Sequence, residues 1–159
     1  MNTRKKAETI LLTLENKIKY QFSDPTILLH ALTHSSYANE MRMPREDNNE
    51  RLEYLGDAVL ELVTSEYVYK EYRDVTEGDL TKFRASIVCE QTLSACARDI
   101  GIGQFILLGK GEDTSGGRER DSILSDSLEA VIGAIYLDGG FTNAKEFILR
   151  FIMNDLEHK

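Results

Sequence analysis

The sequence predicts an all-α domain. Three observations carry that reading. Apolar residues recur at helical spacing through six segments of the 159-residue chain. No stretch alternates apolar and polar residues for long enough to make a useful strand. Six of the eleven glycines crowd into residues 101–120, between two of the helical segments.

Taken in order, spacing and breakers place the first helix over Arg4–Asn16. The second runs over Pro25–Thr33, where Asp24 supplies a capping side chain and Pro25 suits the first turn. Tyr37 to Asp47 is polar and holds Pro44, so it reads as a loop. A long apolar helix follows over Asn48–Glu71, then another over Glu77–Ile100. Gly101 to Arg120 reads as irregular, with one apolar island at Phe105-Ile106-Leu107-Leu108. A second very apolar helix covers Ser122–Leu137, with Asp121 as N-cap and Gly139-Gly140 as the stop. The last helix is expected over Thr142–Leu156. No repeat or low-complexity tract interrupts this order.

Length and composition fit one soluble domain with a real core, at 42% hydrophobic and 29% charged residues. No apolar run is long enough to span a membrane, and the N-terminus lacks a signal peptide's apolar centre. Cys89 and Cys96 stand seven apart inside the predicted Glu77–Ile100 helix. They lack metal-site spacing and read as reduced core residues of a cytoplasmic protein.

The stretch Asn49-Glu50-Arg51-Leu52-Glu53-Tyr54-Leu55-Gly56-Asp57 is the most informative part of the chain. A helix turns about 100° per residue, so Glu50, Glu53 and Asp57 share a narrow arc. Leu52, Leu55, Val59 and Leu62 gather roughly opposite. Charged residues are rarely buried unless paired or bound to metal. On the second apolar helix Asp126 and Glu129, at i and i+3, share one face. If the two helices pack, Glu53, Asp57, Asp126 and Glu129 can converge on one cation. Oxygen ligands alone suit Mg²⁺ or Mn²⁺; zinc would call for Cys or His.

Four segments, in order and in spacing, resemble the signatures of the ribonuclease III family. They are Ala31-Leu32-Thr33-His34-Ser35-Ser36-Tyr37-Ala38-Asn39-Glu40, Glu50-Arg51-Leu52-Glu53-Tyr54-Leu55-Gly56-Asp57, Glu77-Gly78-Asp79-Leu80-Thr81-Lys82-Phe83-Arg84-Ala85 and Ile123-Leu124-Ser125-Asp126-Ser127-Leu128-Glu129-Ala130. The likeness runs from about Ile10 to Leu156. Tyr54 stands where the family usually has Phe. The resemblance implies the helical bundle of that family's endonuclease domain over residues 1–159. It also implies Mg²⁺-dependent hydrolysis of double-stranded RNA by a homodimer, with Mn²⁺ able to stand in. Products would be 5′-phosphate and 3′-hydroxyl ends with short 3′ overhangs; ribosomal-precursor and messenger processing are family expectations.

By the same resemblance Glu53, Asp126 and Glu129 bind metal, and Asp57 and Glu129 are the catalytic acids. Glu50 and Glu77 support substrate handling, and Tyr54 enters a socket on a second subunit. Glu77 serves equally well as a favourable charge at a helix start. Glu61, one turn beyond Asp57, is outside the motif and reads as surface or interface. His34 invites a general-base role, but no partner set accompanies it, so a structural hydrogen bond in its loop is expected. Gly109-Lys110-Gly111 and Ser115-Gly116-Gly117-Arg118 fail the nucleotide-loop pattern; Lys110, Arg118 and Arg120 can instead touch RNA phosphates.

The net charge of −8 opposes nucleic-acid binding at first sight. Part of that charge belongs to the proposed metal site. Bacterial family members also carry a basic double-stranded-RNA-binding domain after the nuclease domain. The chain is expected to be a nuclease domain without it, ending at Asp155-Leu156-Glu157-His158-Lys159 about where that linker would begin.

Overall fold

Two apolar helices cross at the centre of the molecule, and the other elements pack around them. The computed structural model describes residues 3–154, with side chains from Glu8 onward. The elements are α1 (Thr3–Ile18), α2 (Pro25–Ala31), α3 (Ser35–Glu40), α4 (Glu50–Glu71), α5 (Glu77–Ile87), α6 (Glu90–Ile100), α7 (Lys110–Thr114) and α8 (Asp121–Ile148). Short 3₁₀ turns fill the connections, and a π-helical turn, Leu149–Met153, closes the described chain. No strand forms among the described residues. One isolated parallel bridge joins Thr33 to Leu107.

Helix α8 is central because, apart from its acid face, its middle is apolar and buried nearly all round. Ile123, Leu124, Leu128, Val131, Ile132 and Ile135 are all buried, which an exposed helix could not sustain. It packs against α4, α6 and α2. The Gly139-Gly140 stop holds: Gly140 has φ of 84°, a left-handed value that breaks the helix before its second stretch begins. Just before the break, Asp138 accepts hydrogen bonds from the Tyr20 hydroxyl at 2.5 Å and the Ser23 and Asp24 amides at 2.8 and 2.9 Å. That node fixes the α1–α2 connection to the end of the central helix.

The order of helices follows the sequence reading with local differences, among them a short helix, α7, inside the stretch Gly101–Arg120 expected to be irregular. The expected loop at Tyr37–Asp47 begins as helix α3, because His34 caps it by accepting from the Ser36 amide. The expected Glu77–Ile100 helix is two helices. Ser86, Cys89 and Thr92 make side-chain bonds to local carbonyl and hydroxyl oxygens there, competing with the backbone ladder. Cys89 is therefore the extended N-cap of α6 rather than a mid-helix residue, and only Cys96 is fully buried. Asp121 opens α8 with its carboxylate paired to Arg98, and Arg120 holds the capping position. The predicted end of the last helix, Asp155 and Leu156, lies outside the described residues.

Candidate active site

Glycine decides how close α4 and α8 come. A β-carbon on Gly56 would collide with the Glu129 carbonyl, and one on Gly133 would collide with the Leu52 carbonyl. The two backbones thus touch where the acids are. Glu53 and Asp57 flank Gly56 on α4; Asp126 and Glu129 precede Gly133 on α8. All four carboxylates meet at this crossing. The buried face of α4 is Gly56, Val59, Leu60, Val63 and Thr64, beside the acid stripe rather than opposite it. Leu62, expected inside, is 58% exposed.

The charges settle by sharing protons. Burial, the hydrogen bond from its own carboxyl to Asp57, and the neighbouring carboxylates push Glu129 up to about 9. Burial and the bond to Asp126, with help from Glu50 and Asp57, raise Glu53 to about 7. Burial also raises Asp126, opposed by the bond from Glu53 and by the nearby His34 ring. Like charges this close cannot all ionise in a half-buried site. The acids therefore stand as two hydrogen-bonded pairs, Glu53 with Asp126 and Asp57 with Glu129. As placed, no three acidic, histidine or cysteine side chains among the described residues enclose a cation. The chemistry of the set still fits one: four oxygen donors, with protons occupying the place of positive charge.

The surroundings were largely invisible in the sequence. Asn49 is buried; its side chain donates to the Ala31 carbonyl at 3.2 Å and its amide to the Thr33 carbonyl at 2.9 Å. Asn48 accepts from the Glu50 amide at 3.0 Å. Together they pin the turn that presents Glu53. A polar pair at a helix start was the available signal. Glycines inside two apolar helices likewise signal a close crossing.

Glu50 is exposed, yet close enough to act on Glu53. Glu61 is exposed, as expected of a surface residue. Glu77 opens α5 beside its cap Thr76 and is exposed. Arg118 binds Asp113 and the Gly103 and Ile106 carbonyls, and Arg120 binds Glu112. Of the three candidate phosphate contacts, only the Lys110 side chain has no protein partner among the described residues.

Tyr54 points away from the core and is 82% exposed. With Ala58 and Leu62 it forms an apolar face on the outer side of α4. Beside it lies a groove of about 640 Å³, lined by Ile27, Leu52, Leu55 and Leu137 and rimmed by His30, Glu46, Glu50 and Arg51.

Residues 24–156 match the model of a family described as ribonuclease-III-like. The chain belongs to that family. It is 56% identical over 140 residues to Ribonuclease 3 of Caldanaerobacter subterraneus subsp. tengcongensis, an alignment covering 88% of this chain and 61% of that protein. It is 52% identical to Ribonuclease 3 of Streptococcus pneumoniae, covering 91% and 62%. The chain thus spans about three-fifths of the length of such relatives. The nuclease domain of ribonuclease III from Campylobacter jejuni, solved in connection with a region involved in dimer formation, superposes with a TM-score of 0.84. That match has 46% identity and covers 91% of this chain and 96% of that one.

Proposed function

We propose that this chain is one endonuclease domain that hydrolyses phosphodiester bonds in double-stranded RNA. The observation that carries the reading is the meeting of Glu53, Asp57, Asp126 and Glu129 at a glycine-lined helix crossing, with two of them raised far enough to hold protons. So many carboxylates in one half-buried place are costly for a fold alone. They serve a cation.

Glu53, Asp126 and Glu129 are the residues that would hold Mg²⁺, or Mn²⁺ in its place. Bound there, the ion supplies positive charge that offsets repulsion between acids and phosphate and makes water more acidic. Asp57 lies at the exposed edge of the cluster, where it can orient the attacking water and receive its proton. Before a metal binds, the Glu129 proton bonded to Asp57 keeps that carboxylate beside the cluster; binding would release it. The products are 5′-phosphate and 3′-hydroxyl ends with short 3′ overhangs.

The chain works as a homodimer with one site per subunit. Tyr54, exposed beside an apolar groove, is the anchor that enters the partner's groove. Glu50 lines that groove and also adjoins Glu53, so the dimer contact and the acid site are neighbours. Glu77 supports substrate handling from α5. No helix among the described residues is long and apolar enough to cross a membrane. Neither cysteine is in a disulfide, which suits RNA processing, including that of ribosomal precursors, in the cytoplasm.

The test is incubation of labelled long double-stranded RNA and a matched single strand with excess protein, in millimolar Mg²⁺ or EDTA. Cleavage of the duplex alone, and only with Mg²⁺, is expected. An intact duplex would overturn the reading, and equal cutting of the single strand would overturn its duplex part.

A further inference from the structure

One carboxylate ties together two walls of the groove beside Tyr54. Leu137, near the end of the first stretch of α8, supplies one wall and is 57% exposed. Ile27, in the first turn of α2, supplies another. Asp138 follows Leu137 directly, and its two oxygens reach across to the start of α2. Oδ1 accepts from the Asp24 amide at 2.9 Å; Oδ2 accepts from the Ser23 amide at 2.8 Å and the Tyr20 hydroxyl at 2.5 Å. Asp24 in turn caps α2, its carboxylate taking the Thr26 amide at 3.0 Å and its carbonyl the Ile27 amide at 3.2 Å. Leu137, Asp138, Asp24 and Ile27 thus form one unbroken path from wall to wall. The helix breaks at Gly140 just beyond, so this end of α8 needs a tie of its own.

We propose that Asp138 is a positioning residue for the contact between two copies of this chain. It sets the spacing of Ile27 and Leu137, and so the fit of the groove to Tyr54 of the second copy. The inference rests on the dimer reading above. A second copy is the occupant because knob and groove adjoin on one face, as a two-fold contact requires. The rim is also self-complementary in charge. Arg51 and the acids Glu46 and Glu50 are exposed on it, and none has an ion-pair partner among the described residues. The bonds of the node differ in what they hold. Tyr20 lies just past α1 and lines no part of the groove, whereas the two amides belong to the start of α2.

The experiment measures the dimer Kd of wild type, Asp138→Ala and Tyr20→Phe by sedimentation of whole chains. Melting of each change in the Tyr54→Asp background, where no dimer contributes, reports the fold alone. A hydrogen bond to a charged group is strong enough to move an equilibrium about tenfold. Asp138→Ala is expected to raise the dimer Kd by about that factor. Tyr20→Phe should melt lower in the monomeric background and leave the dimer Kd little changed. The Ser23 and Asp24 amides are exposed and can turn to water, so alanine at 138 is tolerated. Should it nonetheless fail to fold, Asp138→Asn keeps one acceptor oxygen and is expected to raise the Kd in the same direction. A variant at 138 that dimerises as tightly as wild type overturns the proposal while the dimer reading stands. So does a Tyr20→Phe protein whose dimer weakens as much as that of Asp138→Ala, because the effect would then follow stability and not the groove walls. A wild type that stays monomeric refutes the dimer reading, and this inference with it.

Discussion

Without metal, Glu129 holds a proton through neutral pH and Glu53 is near half-titration, with values of about 9 and about 7 against an ordinary 4.5. Both are raised, so between those limits the folded chain binds more protons than the unfolded one. Their contribution to stability is fully present below about pH 4.5 and is lost as pH rises through about 7 and then about 9. In EDTA the urea midpoint should therefore fall from pH 5 to pH 9. Glu129→Gln, which copies the protonated acid, should flatten the upper part of that fall; an equally steep curve for the variant would show that the site does not govern it. Lys110 makes a second case at this scale. Among the described residues its side chain is the uncommitted cation of its segment, while Arg118 and Arg120 are consumed by Asp113 and Glu112. If it contacts one phosphate, Lys110→Ala should weaken duplex-RNA binding and lower the slope of log K against log salt by about 1. An unchanged slope removes it from the interface.

The element that builds the site is the α4–α8 crossing, and its geometry depends on Gly56 and Gly133. Gly56→Ala must push the helices apart at the Glu129 carbonyl. Overpacking of this kind costs about 1–3 kcal/mol, and the four acids separate with it. Melting temperature and cleavage should fall together, whereas an alanine at exposed Gly111, with open space around its β-carbon, should change neither. Helix order and the four acids were legible in the sequence because periodicity and charge both report on a helix face. What stayed hidden depends on contacts distant in the chain. The Ser36–Gly109 bond joins residues 73 apart, and no local pattern announces it. Leu62 misled for a related reason: α4 carries apolar residues on two sides, and periodicity alone does not say which one meets α8. The break at Cys89 was masked because its cause is a set of side-chain bonds that no periodicity records.

Across the molecule, the outer apolar face of α4 and the groove beside Tyr54 are left uncovered by the described residues. A dimer is expected to cover them. Tyr54→Asp would place a charge in that contact and should sediment as a monomer at micromolar concentration; a wild type that is itself monomeric there refutes the dimer. Under the proposed function, the −8 charge predicts a weak, salt-sensitive grip on RNA and a need for cations at the acidic site, which binding measured across a salt series checks.

The four-acid crossing is expected to be a site of chemistry and not a structural feature. Glu129→Gln tests it most directly, because glutamine keeps the shape of the protonated acid and removes its ability to ionise toward a metal. The measurement pairs single-turnover cleavage of duplex RNA in Mg²⁺ with melting in EDTA at pH 8. Cleavage should drop by more than about 100-fold, beyond the loss expected from a merely supporting partner, while the metal-free variant melts at or above wild type. A variant that cuts like wild type, or that melts well below it without metal, would contradict the account.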